Sequence, residues 1–206
     1  MNTLSLPQFL EATSSDSPVP GGGSVSALCG ALGSALGTMV CRLTLGRKKY
    51  AEHEERVNEI IARVSPCIDT LAEAIQRDSD AYNLVMQAFK LPKDTDEQKA
   101  HRRAAIGSAS LAAAVVPMEV AETALSVMKE IEPLAEIGNQ NAITDVGVAM
   151  MCLRTAVLGA ALNVRINLGS TGDEAAEANL RHRCDNAERE AIGICERVYS
   201  SIHAKI

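Results

Sequence analysis

The chain has 206 residues, 47% of them hydrophobic, and a formal charge of −6. That is ample for one core of enzyme size, expected as a single domain over residues 1–206, and too acidic for a general nucleic-acid binder. Only three tyrosines and two phenylalanines are present, so Ala, Leu, Val, Ile and Met must fill the interior, which favours helices over sheets.

Six cysteines (Cys29, Cys41, Cys67, Cys152, Cys184, Cys195) form no Cys-x-x-Cys pair, and the four histidines are scattered. The expectation is buried thiols in a reducing, cytoplasmic setting, with no metal site. The opening Met1-Asn2-Thr3-Leu4 lacks a basic region followed by an apolar block, so no secretory signal is expected.

In chain order, helical periodicity predicts a short helix at 5–14 and long helices at about 23–45, 50–90, 96–132, 140–168 and 173–204. Ser5-x-x-Gln8, Thr95-x-x-Gln98 and Thr171-x-x-Glu174 are three capping-box patterns at helix starts. Pro66 and Pro117 fall inside two of the long segments and are expected to kink or split them. No segment shows convincing strand alternation. Long helices with short turns define an all-α antiparallel bundle of about five long helices plus a short N-terminal one.

Before the second helix stands Pro18-Val19-Pro20-Gly21-Gly22-Gly23-Ser24. A helix start carries N–H groups without intrahelical partners and partial positive charge, so Gly21, Gly22, Gly23 and Ser24 are candidates for a polar or anionic ligand cradle. A plain loop-to-helix turn is the competing reading, and the motif alone does not choose. The uncharged stretch Val25–Cys41 contains Gly33-x-x-x-Gly37. Its 17 residues rich in Gly, Ala and Ser fit a tightly packed buried helix better than a membrane span.

In the 50–90 segment Val57, Ile61, Val64, Ile68, Leu71, Ile75, Asp78, Tyr82, Val85 and Phe89 follow alternating spacings of four and three, one continuous inward face. Asp78 interrupts it. A carboxylate there needs a partner, hydrogen bonds or an open cleft, so Asp78 is either functional or half of a structural ion pair. Asp80, about 200° further round, is expected in solvent. In the 140–168 segment Asn141, Asp145, Ala149, Cys152, Ala156, Gly159, Asn163 and Asn167 share an arc of about 80°. That small and polar face suits hydrogen bonding between helices or subunits, and equally suits ligand contact. Asp145 and Asn163 lie about 27 Å apart along the helix, too far to serve one small site on one subunit.

Together Pro20-Gly21-Gly22-Gly23-Ser24, Leu43-Thr44-x-Gly46-Arg47-Lys48-Lys49-Tyr50, Asp78-x-x-Ala81-Tyr82, Leu91-Pro92-Lys93, Val116-Pro117, Gly138-Asn139, Asp145-Val146 and Asn163-Val164-x-Ile166-Asn167 make an ordered pattern over nearly the whole chain. The pattern resembles the formiminotransferase-cyclodeaminase C-terminal family, which includes stand-alone methenyltetrahydrofolate cyclohydrolases; nothing resembles the formiminotransferase half. The resemblance implies an all-helical, dimerising enzyme that binds a tetrahydrofolate derivative as substrate, needs no cofactor, and uses a residue matching Asp78 as proton acceptor. It implies substrate contacts from the glycine turn, Tyr82, Asn139, Asp145, Asn163 and Asn167, with Lys48 and Lys49 toward the glutamate tail. Nucleic acid and membrane are not expected partners.

Two reactions fit. A cyclohydrolase adds water to 5,10-methenyltetrahydrofolate to give 10-formyltetrahydrofolate, and a cyclodeaminase expels ammonia from formiminotetrahydrofolate. The resemblance of a chain standing alone, with Leu91-Pro92-Lys93-Asp94-Thr95-Asp96-Glu97 especially like the stand-alone enzymes, favours the first. A folate-binding helical protein without turnover is the third reading, disfavoured by Asp78 on the inward face.

Overall fold

A computed structural model describes residues 4–206; the sequence reading of the chain's start rests on residues 1–3, outside the described residues. The helices are α1 (Leu6–Thr13), α2 (Gly22–Thr44), α3 (Glu54–Phe89), α4 (Asp96–Ile131), the short α5 (Leu134–Ile137), α6 (Ile143–Asn167) and α7 (Glu174–His203), with 3-10 turns at Lys48–His53 and Gln140–Ala142. No strand occurs among the described residues. The all-α bundle is as expected, with boundaries shifted by a few residues and α5 as an unforeseen extra turn.

Local chemistry accounts for the helix starts. Thr95 Oγ1 accepts from the Gln98 N–H at 3.2 Å while Gln98 Oε1 accepts from the Thr95 N–H at 3.2 Å, a complete capping box. At α1 the Ser5 N–H donates to Gln8 Oε1 at 2.9 Å. The third box does not form. Asp173, one residue before α7, caps it by accepting from the Ala176 N–H at 2.9 Å, and Thr171 instead donates to Glu177 Oε1 at 2.7 Å. Positive φ at Gly169 and Gly172 turns the chain so that Asp173 meets the helix first. Pro66 and Pro117 do not split their helices: α3 and α4 run through them as 36 residues each, with Pro117 buried between Val116 and Met118.

α2 and α6 form the antiparallel centre of one continuous core; α3 and α4 close one side and α7 packs on α6 and α4. The centre is close because its seam is small. A Cβ on Gly33 would come 2.6 Å from Leu153 Cγ and 2.9 Å from the Ala149 carbonyl oxygen, and one on Gly159 would meet Ser26 Oγ at 2.3 Å. Much of the small face of α6 is therefore an internal seam with α2, and that face no longer argues for a subunit interface. Buried hydroxyls on α2 donate to their own helix, Ser34 Oγ to the Gly30 carbonyl and Thr38 Oγ1 to the Ser34 carbonyl, so these two side chains sit in the core with their protons satisfied.

By length and composition Gly22–Thr44, Asp96–Ile137 and Gln140–Asn167 are apolar enough to cross a membrane, and in this fold they make the core. Cys41, Cys184 and Cys195 are buried, Cys29, Cys67 and Cys152 half-buried, and all six are free thiols. The inward face of α3 holds at Val57, Val64, Leu71, Ile75 and Val85. Phe89 departs from it: the residue is 46% exposed, with the Arg102 guanidinium over its ring, while its neighbour Ala88 is the buried residue of that last turn.

Candidate active site

Asp78 reaches from the middle of α3 to the first turn of α2. Its Oδ2 accepts from Ser24 Oγ at 2.9 Å, a contact across 54 residues of chain. The same hydroxyl lies 3.1 Å from the Ile75 carbonyl and 3.3 Å from Ser79 Oγ. Gly21, at the N-cap of α2, has no side chain to offer the helix, and Asp78 takes that place from another element. A Cβ on Gly23 would sit 2.1 Å from Asp78 Oδ1, so glycine is what lets the carboxylate lie against this backbone. None of Gly21, Gly22 and Gly23 has positive φ. The run is there for close approach, with no left-handed backbone to accommodate.

Burial pushes the Asp78 carboxyl above the ordinary aspartate value, and the hydrogen bonds from Ser24 pull it partway back. No cation is paired with it among the described ion pairs. The structural ion-pair reading is thereby set aside. Asp80, in contrast, is exposed and accepts from Gln76 Nε2 at 2.9 Å.

Asp78 opens onto a cavity of about 230 Å³ shared with Gly21, Gly22, Gly23, Tyr82, Asn163 and Asn167 and walled by the Pro18–Val19 turn, Ala113 and Ile166. Asn163 Nδ2 donates to the Gly159 carbonyl at 2.8 Å, and Asn167 Nδ2 to the carbonyls of Asn163 at 2.9 Å and Ala113 at 3.2 Å. Those bonds orient both amides. Their carbonyl oxygens then serve as acceptors beside the cavity, across from the first N–H groups of α2. A ligand edge carrying both donors and acceptors can be read from two sides here, with a carboxylate in reach. The volume falls below the ~300–1,000 Å³ of sites that hold a drug-sized ligand whole, so the cavity holds one end of a longer molecule.

Eight of the twelve sequence-predicted site residues thus converge: Asp78, Gly21, Gly22, Gly23, Ser24, Tyr82, Asn163 and Asn167. Four do not. Lys48, Lys49, Asn139 and Asp145 lie toward the other end of α2 and α6, whose 23 residues in α2 alone span about 35 Å. Asn139 is 4% exposed and its groups are engaged: its N–H donates to Thr44 Oγ1 at 2.9 Å, Nδ2 to the Leu43 carbonyl at 2.9 Å, and Oδ1 accepts from the Asn141 N–H at 3.1 Å. It ties α2 to the start of α6, and its expected substrate contact is replaced by a structural one. Tyr50 Oη accepts from the Gln140 N–H at 3.0 Å in the same junction. Lys49 lies over the Tyr50 ring, and Lys48 and Lys49 are exposed. No cluster of metal-ligating side chains occurs among the described residues.

Sequence reasoning missed a second cleft of about 570 Å³, lined by Lys93, Lys99, Arg102, Arg103, Ile106, Gly169, Ser170 and Gly172. Its signal was present in the run of cations over the first turns of α4, a position the helix dipole does not favour.

An all-helical bundle with a half-buried carboxylate held at a glycine-rich helix start defines a class of helical enzyme-like pocket, and comparison with known proteins agrees with it. The chain belongs to the formiminotransferase-cyclodeaminase family, whose profile matches residues 5–186. It is 37% identical over 198 residues to a methenyltetrahydrofolate cyclohydrolase from Methylorubrum extorquens, covering 96% of this chain and 95% of that protein. It is also 33% identical to a rat formimidoyltransferase-cyclodeaminase, covering 98% of this chain and 37% of that longer protein. The solved structure of a formiminotetrahydrofolate cyclodeaminase from Thermotoga maritima matches with a TM-score of 0.87 at 28% identity, over 98% of this chain and 97% of that one.

Proposed function

We propose that the protein hydrolyses 5,10-methenyltetrahydrofolate to 10-formyltetrahydrofolate, with Asp78 as the general base. The observation that carries this is the Asp78 carboxylate, free of any described cation partner and held by Ser24 at the mouth of the glycine-walled cavity. The end-to-end similarity to a cyclohydrolase supports it.

The methenyl bridge is a carbon cation shared by two nitrogens, and a carboxylate beside it stabilises that charge. Water adds to the carbon and Asp78 takes one of its protons, leaving a neutral tetrahedral carbon bearing a hydroxyl. Asp78 returns that proton to nitrogen 5 as the bond from carbon to nitrogen 5 breaks. The hydroxyl proton passes to solvent, and the formyl group stays on nitrogen 10. A carboxyl raised by burial is suited to both steps, because it is a stronger base than an exposed aspartate and still gives the proton back.

The reading extends to a homodimer that completes the site. Leu32 and Met39 on α2, with Val148, Met151 and Leu162 on α6, leave an exposed apolar face on the central helix pair. A two-fold axis lying in that face and perpendicular to α2 and α6 packs the face on its own copy with the helices reversed, bringing the Lys48–Lys49 and Asp145 end of one copy over the Asp78 end of the other. This explains how polar residues about 35 Å apart along one subunit serve one reaction. Mixing and reassorting Asp78→Asn and Asp145→Asn subunits, each inactive alone, is expected to restore about a quarter of wild-type activity, since half the dimers then carry one intact site. No recovery, or a monomer by light scattering at micromolar concentration, refutes the shared site.

Cyclodeamination is the second reading, favoured by the Thermotoga maritima structure. There nitrogen 10 attacks the formimino carbon, and Asp78 moves a proton from it to the departing ammonia. Purified protein given each substrate in parallel separates the two: loss of methenyl absorbance with 10-formyltetrahydrofolate formed supports hydrolysis. Ammonia release from formiminotetrahydrofolate far faster than that hydrolysis transfers the assignment to the deaminase.

A further inference from the structure

Ser24 is fully buried, and Asp78 and the three glycines wall the cavity beside it, so its hydroxyl reaches a ligand only through that carboxylate. The hydroxyl carries one proton and has three oxygens around it: Asp78 Oδ2 at 2.9 Å, the Ile75 carbonyl at 3.1 Å and Ser79 Oγ at 3.3 Å. Asp78 and the Ile75 carbonyl are competing acceptors within one turn of α3, and one proton serves one of them well at a time. Ser79, 1% exposed, is the second donor of the cluster. Its Oγ donates to the Ile75 carbonyl at 3.4 Å and is also within reach of Ser24 Oγ.

Two arrangements leave both hydroxyl protons bonded. With Asp78 ionised, Ser24 donates to Oδ2 and Ser79 donates to the Ile75 carbonyl. With Asp78 protonated, Oδ2 becomes a weaker acceptor than an amide carbonyl, so the Ser24 proton turns to Ile75 and the Ser79 proton to Ser24 Oγ. The Ser24 backbone N–H holds the carboxyl throughout. A buried base that takes up a proton and gives it back needs such an exchange, because a fixed donor set suits only one of its two charge states.

We infer that Ser24 is a positioning residue whose hydroxyl turns from Asp78 to the Ile75 carbonyl when Asp78 takes up a proton, and turns back when that proton is returned. This deepens the reading of Asp78 as the base and rests on it. Ser24 keeps its own proton throughout, so no bond forms or breaks at its oxygen except hydrogen bonds. Around the carboxyl, Tyr82 on α3 is the other titratable side chain of the cavity, while α4 gives Ala113 and α6 gives Asn163, Ile166 and Asn167. Arg77, next in sequence, is paired with Glu119 at 2.6 Å. The proposed dimer adds Lys48, Lys49 and Asp145 from the second copy. None of these acts through Ser24, so a Ser24→Ala comparison separates their effect from its own.

Ile75-Gln76 is the single Ile-Gln pair in the chain, so isotope labelling of isoleucine carbonyl carbon and glutamine nitrogen isolates one NMR signal, that of the Ile75 carbonyl. In the wild type this signal is expected to move downfield as pH falls through the Asp78 midpoint, read in parallel from the Asp78 carboxyl carbon, because a donor at 3.4 Å is exchanged for one at 3.1 Å. In Ser24→Ala most of that movement is expected to vanish. The Asp78 midpoint, and the acid limb of kcat/KM with it, is expected to rise by about one pH unit, since the lost donor favours the ionised form. At neutral pH kcat is expected to fall about tenfold with KM within about twofold, because Ser24 orients the base and touches no ligand. An Ile75 signal that does not follow the Asp78 midpoint in the wild type overturns the turning hydroxyl, and that arm needs no variant. An unchanged Asp78 midpoint in folded Ser24→Ala, with only a lower denaturant midpoint, makes Ser24 a structural brace and equally overturns it. If both NMR results hold while neither the methenyl nor the formimino substrate is turned over, the folate reading falls and the proton-linked turn of Ser24 is supported on its own.

Discussion

The two ends of the α2–α6 pair carry similar side chains and use them differently. At one end Asn163, Asn167, Tyr82, Ser24 and Asp78 surround a cavity. At the other Asn139, Thr44 and Tyr50 close on one another and on backbone groups, and Asn139 is 4% exposed. Residue type does not separate binding from bracing; what separates them is whether a polar group's partners are already in the chain. Asn139 has all of its partners. Asp78 has Ser24 and an opening.

The comparison breaks most visibly if the close approach at the open end is disturbed. Gly23→Ala would put a methyl where Asp78 Oδ1 now lies, forcing the carboxylate aside. A displacement of that size is expected to cost about 100-fold in kcat. Unchanged kcat in steady-state assays would mean that the position of the carboxylate does not matter.

Next in size is the pH response. The raised Asp78 pKa places the acid limb of the kcat/KM profile above the ordinary aspartate value of about 4, with activity falling about tenfold per pH unit below it. The sign for stability is opposite. A carboxyl raised by folding contributes stability below its unfolded pKa, and that contribution is lost as pH rises through the folded pKa. Asp78→Asn is expected to remove this loss, which denaturant melts of both proteins across that range will show.

At the braced end Asn139→Ala unpairs the Leu43 carbonyl and the Asn141 N–H, for an expected destabilisation of about 1–3 kcal/mol by chemical denaturation. Its kcat is expected to hold at temperatures where the protein stays folded. A large fall in kcat without a change in stability would return Asn139 to the site. Smallest is Asp80→Asn, whose exposed side chain makes one surface contact, with an expected change within about 0.5 kcal/mol and normal turnover.

The helices were legible because their signals are local: periodicity, and at Thr95 a capping pair three residues apart. Thr171 shows the limit. Asp173 offered the same chemistry closer to the helix, and only the loop geometry decided between them. The arc calculation on α6 found the small face but could not say what packs there, since Ser26 and Gly33 approach it from more than 100 residues away. Asp78 stood out as a charge in an apolar stripe. Its bond to Ser24 and its contact with Gly23 depend on the packing of α3 against α2, which no short-range pattern encodes. The basic cleft escaped for the same reason, being formed by α4 and the turn after α6.

The most direct test is Asp78→Asn, measured for turnover of 5,10-methenyltetrahydrofolate and for its denaturant midpoint. The amide keeps the shape of the side chain but cannot accept the proton, so the expected loss is about 100- to 10,000-fold in kcat. Because Asp78 has no described cation partner, stability is expected to be unchanged or improved, in contrast to the ~3–5 kcal/mol lost when a buried ion pair is broken. A folded variant that still hydrolyses the substrate at near the wild-type rate would contradict the assignment of Asp78 as the base.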